Sequence, residues 1–391
     1  MRKPPNVLLR AAVGWQAGRI ADPIDRLRFL RHTLGDRCVW DPRSEVGRAF
    51  FHRRRASMLV ALSALLLLPA GTMTSASRLW KRGPIVVAQA GNTGPETLPN
   101  VWQVESNAGF ETYSNGLRIE RRYEVANETR KYRIYRRGFE DAGPAGERTD
   151  PSGIVFHTTE SNQPEFTENK TKAIRRVGAT LLSYLQQEHA YHYMVDRFGN
   201  VWRVVRESDS ANHSGYSVWA DNKFTYVNLN RAFLGVSVET VTQPGEAKAQ
   251  ATPAQIHALR VLTEMLRAKY KISAADCATH AQVSVNPDNM QVGYHYDWAS
   301  NFPYVAVGLP DNYSVPAPGL WIFGFTYDPA LVEVTGQAFW RGLLLGEDQL
   351  RQNATAHGLS VAAYRKELEK RYRQVLSEMK TKAELSKENK G

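Results

Sequence analysis

Two histidines and one aspartate stand near the ends of predicted secondary-structure elements. His157 ends a short predicted strand, His280 follows a predicted helix, and Asp297 lies in an aromatic segment further along the chain. Two imidazoles and one carboxylate can hold Zn²⁺ with the fourth position left for water, which is the arrangement of a hydrolytic zinc site. A single histidine more often has a surface or core role, so the prediction depends on all three positions meeting in the fold.

The elements that position these residues are predicted from hydrophobic patterns. Residues 153–157 are a buried strand, 171–188 an amphipathic helix, 191–205 a hairpin and 234–239 a second buried strand. A further helix begins at Thr252, because Pro253 and Gln255 complete a capping box. Strands mixed with helices predict an α/β fold with a mixed central sheet flanked by helices. The expected inward faces are Ile174, Val177, Leu181 and Leu185 of the first helix and Ile256, Leu259, Leu262 and Leu266 of the second.

Both flanks of this α/β segment carry extensions. Residues 101–150 are predicted to be β-rich, with one hairpin around Asn115-Gly116 and another in which 121–125 and 131–135 flank a turn. A polar helix is expected over 360–379. The predicted domain organisation is a basic tail 1–57, a signal or anchor segment 58–76, a linker 77–100, the β-rich extension 101–150, the zinc domain 151–310 and a helical C-terminal extension 311–391.

The charge distribution argues against a nucleic-acid-binding protein. The 391 residues carry a formal net charge of +11, with 42% hydrophobic and 23% charged residues. This is an ordinary globular composition. Residues 1–57 contain 13 Lys/Arg and 5 Asp/Glu, so their net charge is +8 and only +3 is left for the rest. A basic groove on the folded body is therefore not expected.

One strongly apolar segment, Met58–Ala70, follows Arg53, Arg54 and Arg55 and precedes small residues. Its length suits a secretory signal better than a full membrane span, and the positive-inside rule places the following chain outside the cytoplasm. We predict an exported protein, periplasmic or extracellular, in which residues 58–76 are cleaved or remain as an inner-membrane anchor. A buried helix is the alternative. Because Cys38 and Cys277 flank this segment, no disulfide is expected.

Short motifs between residues 150 and 305 resemble those of the zinc-dependent N-acetylmuramoyl-L-alanine amidases. This superfamily includes the phage lysozyme-type amidases and the peptidoglycan recognition proteins. The resemblance covers less than half of the chain, and it depends on the order of the motifs rather than on any one of them. The motifs are IVFHTT at 154–159, AYHYMVDRFGN at 190–200, NHSG at 212–215, LGVSV at 234–238, TH at 279–280 and HYDW at 295–298.

The resemblance implies roles for individual residues. His157 and His280 match the two histidine ligands of the zinc ion, and Asp297 matches the third ligand, which is Asp or Cys in catalytic members. Tyr191 matches the tyrosine that assists catalysis in the phage-type branch. His213 matches a histidine of the loop that lines the substrate groove.

Two positions depart from the family pattern. His295 stands where lysine is common, and a protonated imidazole there is expected to donate to the developing oxyanion as lysine would. Ser237 stands where some members carry a strand glutamate. Glu239, two residues further on, is a candidate for orienting water or an imidazole, although a salt-bridged or solvated carboxylate is the simpler interpretation.

The resemblance therefore implies the amidase and peptidoglycan recognition fold, Zn²⁺ as cofactor, and peptidoglycan or muropeptides as partners. The expected reaction is hydrolysis of the amide bond between N-acetylmuramic acid and L-alanine. The alternatives are a module that binds muropeptides without cutting them, and a zinc hydrolase of another amide. The presence of Asp297 favours the enzyme, because relatives without the third ligand do not cleave.

Overall fold

The computed structural model of the protein describes residues 13, 15–20, 22–34, 96–137, 143–161, 163–242, 250–327 and 329–388. Its helices, apart from short 3₁₀ turns, are α1 Pro23–Leu34, α2 Thr171–Gln187, α3 Leu229–Ala232, α4 Pro253–Tyr270, α5 His280–Val283, α6 Pro318–Ile322, α7 Pro329–Val334, α8 Gln337–Ala356 and α9 Val361–Glu388. Its strands are β1 Gln103–Ser106, β2 Phe110–Tyr113, β3 Arg118–Glu120, β4 Tyr132–Arg136, β5 Gly146–Arg148, β6 Gly153–Thr158, β7 Tyr193–Val195, β8 Val201–Arg203, β9 Val218–Ala220, β10 Phe224–Val227, β11 Phe233–Val238, β12 Cys277–Thr279, β13 Val285–Asn286, β14 Gln291–Val292 and β15 Thr326–Tyr327.

An eight-stranded mixed sheet forms the centre of the fold, with strand order β1-β2-β3-β8-β7-β11-β6-β12. Strands β7, β11, β6 and β12 run parallel to one another, whereas β8 is antiparallel to β7. Every residue of β6 and β11 is buried. Such burial is typical of parallel strands that have helices on both faces of the sheet. The predicted fold class is confirmed.

Helices α2 and α4 cover opposite faces of this sheet. Along β7, Tyr193 belongs to the same apolar cluster as Leu262 of α4, whereas Met194 clusters with Leu182 of α2. The side chains of a strand alternate between its two faces, so the helices lie on different sides. The buried face of α2 differs slightly from the predicted one: Ile174, Gly178, Leu182 and Leu185 are buried, and Val177 and Leu181 are only half-buried.

The first predicted hairpin of the β-rich extension is confirmed, and the second is wrong. Strands β2 and β3 pair across a turn in which Gly116 has a φ of +83°, and β3 then joins β8 of the central sheet. Val125 instead bridges to Val205, and β4 pairs with β5 and β10. The chain does not turn back because Arg130 enters the core, where it donates to the backbone carbonyls of Glu207 and Phe233.

A buried ion cluster attaches the extension to the central sheet. The guanidinium of Arg203 in β8 donates to both carboxylate oxygens of Glu111 in β2, at 2.8 and 2.7 Å, and to Glu207 at 3.1 Å. The hydrogen bond from Arg203 lowers the pKa of Glu111 below its ordinary value, although burial opposes this shift. The carboxylate is therefore ionised in the fold, and the two segments are linked through a buried charge pair.

The C-terminal extension is helical, as predicted, and includes the long helix α9. Arg365 of α9 donates to both carboxylate oxygens of Glu347 in α8, at 2.6 and 2.5 Å. Helix α1, which lies in the segment expected to be a basic tail, packs on α7 and α8 and buries Leu27 and Leu30. The apolar segment Met58–Ala70 lies outside the described residues. Within the described ranges, no helix combines the length and the hydrophobicity that crossing a bilayer requires.

Candidate metal centre

Neighbouring strands bring the three predicted ligands together. His157 lies in β6, and β12 pairs with β6 so that Thr279 is opposite Phe156. His280 follows directly as the first residue of α5. Its position is fixed by Gln282, whose side-chain oxygen accepts the backbone N–H of Thr279 at 2.9 Å.

Aromatic packing carries Asp297 to the same place. Phe156, next to His157, stacks on Phe302 with ring centroids 4.4 Å apart, and Phe302 contacts Trp298 edge-on at 5.4 Å. Trp298 is buried and adjacent to Asp297. The backbone carbonyl of Asp297 also accepts the N–H of Ala281 at 3.2 Å. The loop that carries the carboxylate is thus held against both histidine-bearing segments.

The three side chains form a compact, buried group. His280 Nδ1 is 2.9 Å from Asp297 Oδ1, and His157 Nδ1 is 3.3 Å from Asp297 Oδ2. One nitrogen from each histidine and a carboxylate oxygen all lie within 4.8 Å of one another. Among the described residues, no other group of three such ligands meets in this way.

The donor set fits a divalent zinc ion. His157 Nδ1 is a buried polar atom without a hydrogen-bond partner among the described residues, which fits a nitrogen that faces a cation. Two imidazole nitrogens and one carboxylate oxygen are the donors that catalytic zinc sites use. Burial, together with the nearby charge of His280, lowers the pKa of His157 to about 4, so its imidazole is neutral at pH 7. Burial alone would raise the pKa of Asp297, but His280 and His157 lower it below its ordinary value.

A cleft of about 520 Å³ opens beside this group. Its lining includes the ligand His280 together with Tyr191, His213 and His295. Tyr184 of α2 and Tyr294 also line it and are 57% and 61% exposed. His280 is therefore the ligand through which the cleft adjoins the centre.

The structure brings both predicted catalytic residues to the centre. Tyr191 has a φ of +57°, and its ring centroid is 4.9 Å from that of His157. Burial raises the pKa of its phenol above the ordinary value, so the hydroxyl is a proton-bearing donor. The ring of His295 stacks on His280 at 4.6 Å. Burial, with the charge of His280, lowers the pKa of His295, which favours a neutral imidazole with one N–H donor rather than the charged donor expected.

The predicted groove residue His213 contacts the centre itself as well as the cleft. Its Nδ1 is 3.1 Å from Nε2 of His157. The loop of His213 is anchored by Asn230, a residue that the sequence interpretation missed. The sequence showed only an asparagine ahead of a buried strand, and such a residue has no periodicity or motif that reveals its backbone partners.

Glu239 has a structural environment instead of a place in the cleft. Its Oε2 accepts the backbone N–H of Arg197 at 3.1 Å, and the carboxylate lies against Gly178 of α2. The cleft lining does not include it. Neither expected role of Glu239 is found: the carboxylate does not reach the cleft, and it is buried with a backbone N–H as its partner instead of being solvated or salt-bridged.

Residues 147–297 match the model of the family described as N-acetylmuramoyl-L-alanine amidase. The matched segment contains His157, His280 and Asp297, and the resemblance seen in the motifs is thereby confirmed for it. A comparison with curated protein sequences finds no match to the chain.

Several solved structures are similar to this chain at low sequence identity. The N-acetylmuramoyl-L-alanine amidase LysC from Clostridium intestinale is 21% identical with a TM-score of 0.27, and the match covers 48% of this chain and 93% of LysC. The amidase AmiD from E. coli, in complex with anhydro-N-acetylmuramic acid-L-Ala-D-gamma-Glu-L-Lys, is 18% identical with a TM-score of 0.32, covering 52% and 89%. The Drosophila peptidoglycan recognition protein SD is 16% identical with a TM-score of 0.24, covering 35% and 73%.

Proposed function

We propose that this protein is a zinc-dependent hydrolase that cleaves the amide bond between N-acetylmuramic acid and L-alanine in peptidoglycan or muropeptides. The observation that carries the proposal is the buried group of His157, His280 and Asp297 beside an open cleft. The family match over 147–297 supports the substrate class. Export remains a prediction from residues 58–76.

The three side chains would hold Zn²⁺. When bound, the ion would polarise the scissile carbonyl and lower the pKa of water at the open position. Zinc binding needs deprotonated ligands, and the pKa shifts of His157 and Asp297 favour a neutral imidazole and an ionised carboxylate at these two positions.

Other side chains of the cleft would act on the substrate. The Tyr191 hydroxyl would donate a hydrogen bond to the carbonyl oxygen as negative charge develops there, and His295 would supply a second donor. Tyr184 and Tyr294 offer exposed ring faces on which the apolar faces of sugar rings can pack. These residues would orient the amide over the centre and limit the access of water.

Two other functions are tested by the same experiment. A muropeptide-binding module would bind but not cut, and a hydrolase of another amide would leave this bond intact. The purified full chain is incubated with zinc and bacterial muropeptides, and the products are identified by mass spectrometry. Release of free stem peptides beginning with L-alanine supports the proposal when the Asp297→Ala variant releases none. Tight binding without release would support the binding module instead.

A further inference from the structure

Building on the proposed zinc centre, we infer that His213 is a positioning residue for the ligand His157 and that Asn230 holds His213 in place. Nδ1 of His213 accepts a hydrogen bond from the Nε2–H of His157, so the lone pair of His157 Nδ1 is available to the ion. The family resemblance implied only a substrate-groove role for His213, and the sequence analysis gave Asn230 no role.

The argument begins with the two nitrogens of His157. A neutral imidazole carries one proton, so Nδ1 can offer a lone pair to a cation only when the proton is on Nε2. His213 Nδ1 lies 3.1 Å from that Nε2, at hydrogen-bonding distance. Because His157 is fully buried, bulk solvent does not reach this nitrogen, and His213 is the partner that it meets. His213 is thus the acceptor that selects the required tautomer.

Asn230 fixes the loop on which His213 lies. Its Oδ1 accepts the backbone N–H groups of His213, Ser214 and Gly215, at 2.9, 2.7 and 2.9 Å. Asn230 belongs to α3, which leads directly into β11, the parallel neighbour of the His157 strand. One amide oxygen therefore ties three consecutive loop residues to the sheet that carries the ligand.

Gly235 of β11 provides the space for the His213 ring. A Cβ atom at position 235 would lie 2.6 Å from Cγ of His213 and 2.9 Å from its Cβ, closer than such contacts allow. The ring therefore packs directly over the backbone of the central sheet, beside His157. This close fit holds the imidazole at one orientation, as a ligand partner must be held.

Zinc affinity separates this role from contact with substrate. Dissociation constants of the full chain for zinc are measured by competition with a chromophoric chelator, without any substrate. We expect His213→Leu to weaken zinc binding by about 10- to 100-fold. His213→Asn, whose amide oxygen can take the place of Nδ1, should restore most of the affinity.

The outcomes distinguish this inference from the proposed function. If the wild-type chain binds no zinc, both fail. If it binds zinc and His213→Leu binds equally well with a raised KM, His213 acts on the substrate, and only the positioning role is overturned. Circular dichroism of the metal-free proteins checks that the variants are folded.

Asn230 gives an independent test should His213→Leu not fold. Asn230→Leu should weaken zinc binding in the same direction, whereas Asn230→Asp, which keeps an oxygen acceptor, should retain most of the affinity. The double variant Asn230→Leu/His213→Leu should lose less zinc-binding free energy than the sum of the two single variants, because both act through the His213–His157 hydrogen bond. Full additivity, or unchanged affinity in Asn230→Leu, would show that Asn230 does not act through His213.

Discussion

The carboxylate of Glu239 accepts a hydrogen bond from the backbone N–H of Arg197 at 3.1 Å. The same carboxylate lies against Gly178 of α2. Because this backbone N–H is neutral, its hydrogen bond does not fully replace the hydration that the ionised carboxylate loses on burial. Burial, with Asp196 nearby, raises the pKa of Glu239 from 4.5 to about 7. The group thus makes folding stability depend on pH in a direction that can be worked out.

Glu239→Gln should stabilise the protein at alkaline pH. The unfolded chain releases this proton near pH 4.5 and the folded chain near pH 7, so the wild type loses stability as pH rises between those values. Glutamine avoids this loss and can still accept the Arg197 N–H. Urea unfolding should show that the free energy of unfolding of Glu239→Gln exceeds that of the wild type by on the order of 3 kcal/mol at pH 8 and differs little from it at pH 4.

A matched control for this effect is Glu165→Gln, which removes an exposed carboxylate on a neighbouring loop. It should change stability by less than about 0.5 kcal/mol across the same range. Equal pH dependence in Glu239→Gln and the wild type would mean that Glu239 is solvated in the folded protein.

Zinc should stabilise the fold in addition to supporting hydrolysis. His157, His280 and Asp297 come from distant parts of the chain, so an ion held by all three binds the native state and not the unfolded one. At free zinc of about 1,000 times Kd the gain is about 4 kcal/mol. Thermal unfolding with and without a chelator measures it, and Asp297→Ala should lose most of the gain together with activity. Wild-type turnover and zinc content in that variant would disprove the ligand assignment.

The buried cluster around Arg203 predicts an asymmetry between two substitutions. Arg203→Leu leaves Glu111, Glu124 and Glu207 without their shared cation, whereas Glu111→Gln leaves Arg203 with two carboxylate partners. We expect Arg203→Leu to lower the free energy of unfolding by about 3 to 5 kcal/mol and Glu111→Gln to lower it clearly less. Urea unfolding of both variants checks the order, and equal costs would mean that the cluster does not act as a unit.

The packing of α1 predicts that residues before and after the apolar segment share one compartment. The guanidinium of Arg31 donates to the carbonyl of Thr335 at 2.5 Å, and Leu27 is buried. A single membrane crossing at 58–70 would put α1 and α8 on opposite sides and break these contacts. The packed helix and an anchor with a cytoplasmic tail therefore exclude each other.

Single cysteines at exposed positions decide between the two arrangements. Trp15→Cys and Val305→Cys, at sites that are 61% and 80% exposed, are placed in a background in which Cys38 and Cys277 are serine. In intact cells, a membrane-impermeant thiol reagent should label both positions or neither. Labelling of Val305→Cys alone would show that α1 does not pack on α8 in the cell, as expected for an anchor or for cleavage after export.

The sequence predicted the elements whose signals are local. The capping box at Thr252 and Gln255 and the Asn115-Gly116 turn specify their own structures, and both are found. His157 and His280 could be proposed as ligands because parallel strands place their carboxyl ends at the same edge of a sheet. The second hairpin failed because Arg130 is satisfied by carbonyls far along the chain. Long-range polar contacts of this kind leave no periodic pattern.

His295 should contribute to the rate and not to metal binding. Its ring stacks on His280 at 4.6 Å, and its backbone N–H donates to Ser284 Oγ at 3.0 Å, so the imidazole is held beside the centre without being one of the three ligands. Loss of one donor to a developing oxyanion costs about 100-fold in kcat. We expect that loss for His295→Ala at unchanged zinc content, and a smaller loss for His295→Lys, because an ammonium restores a donor. Steady-state kinetics and metal analysis on the same preparations make the comparison. Full activity in the zinc-loaded alanine variant would leave the hydroxyl of Tyr191 as the side-chain donor of the proposed mechanism, and Tyr191→Phe should then account for the whole effect.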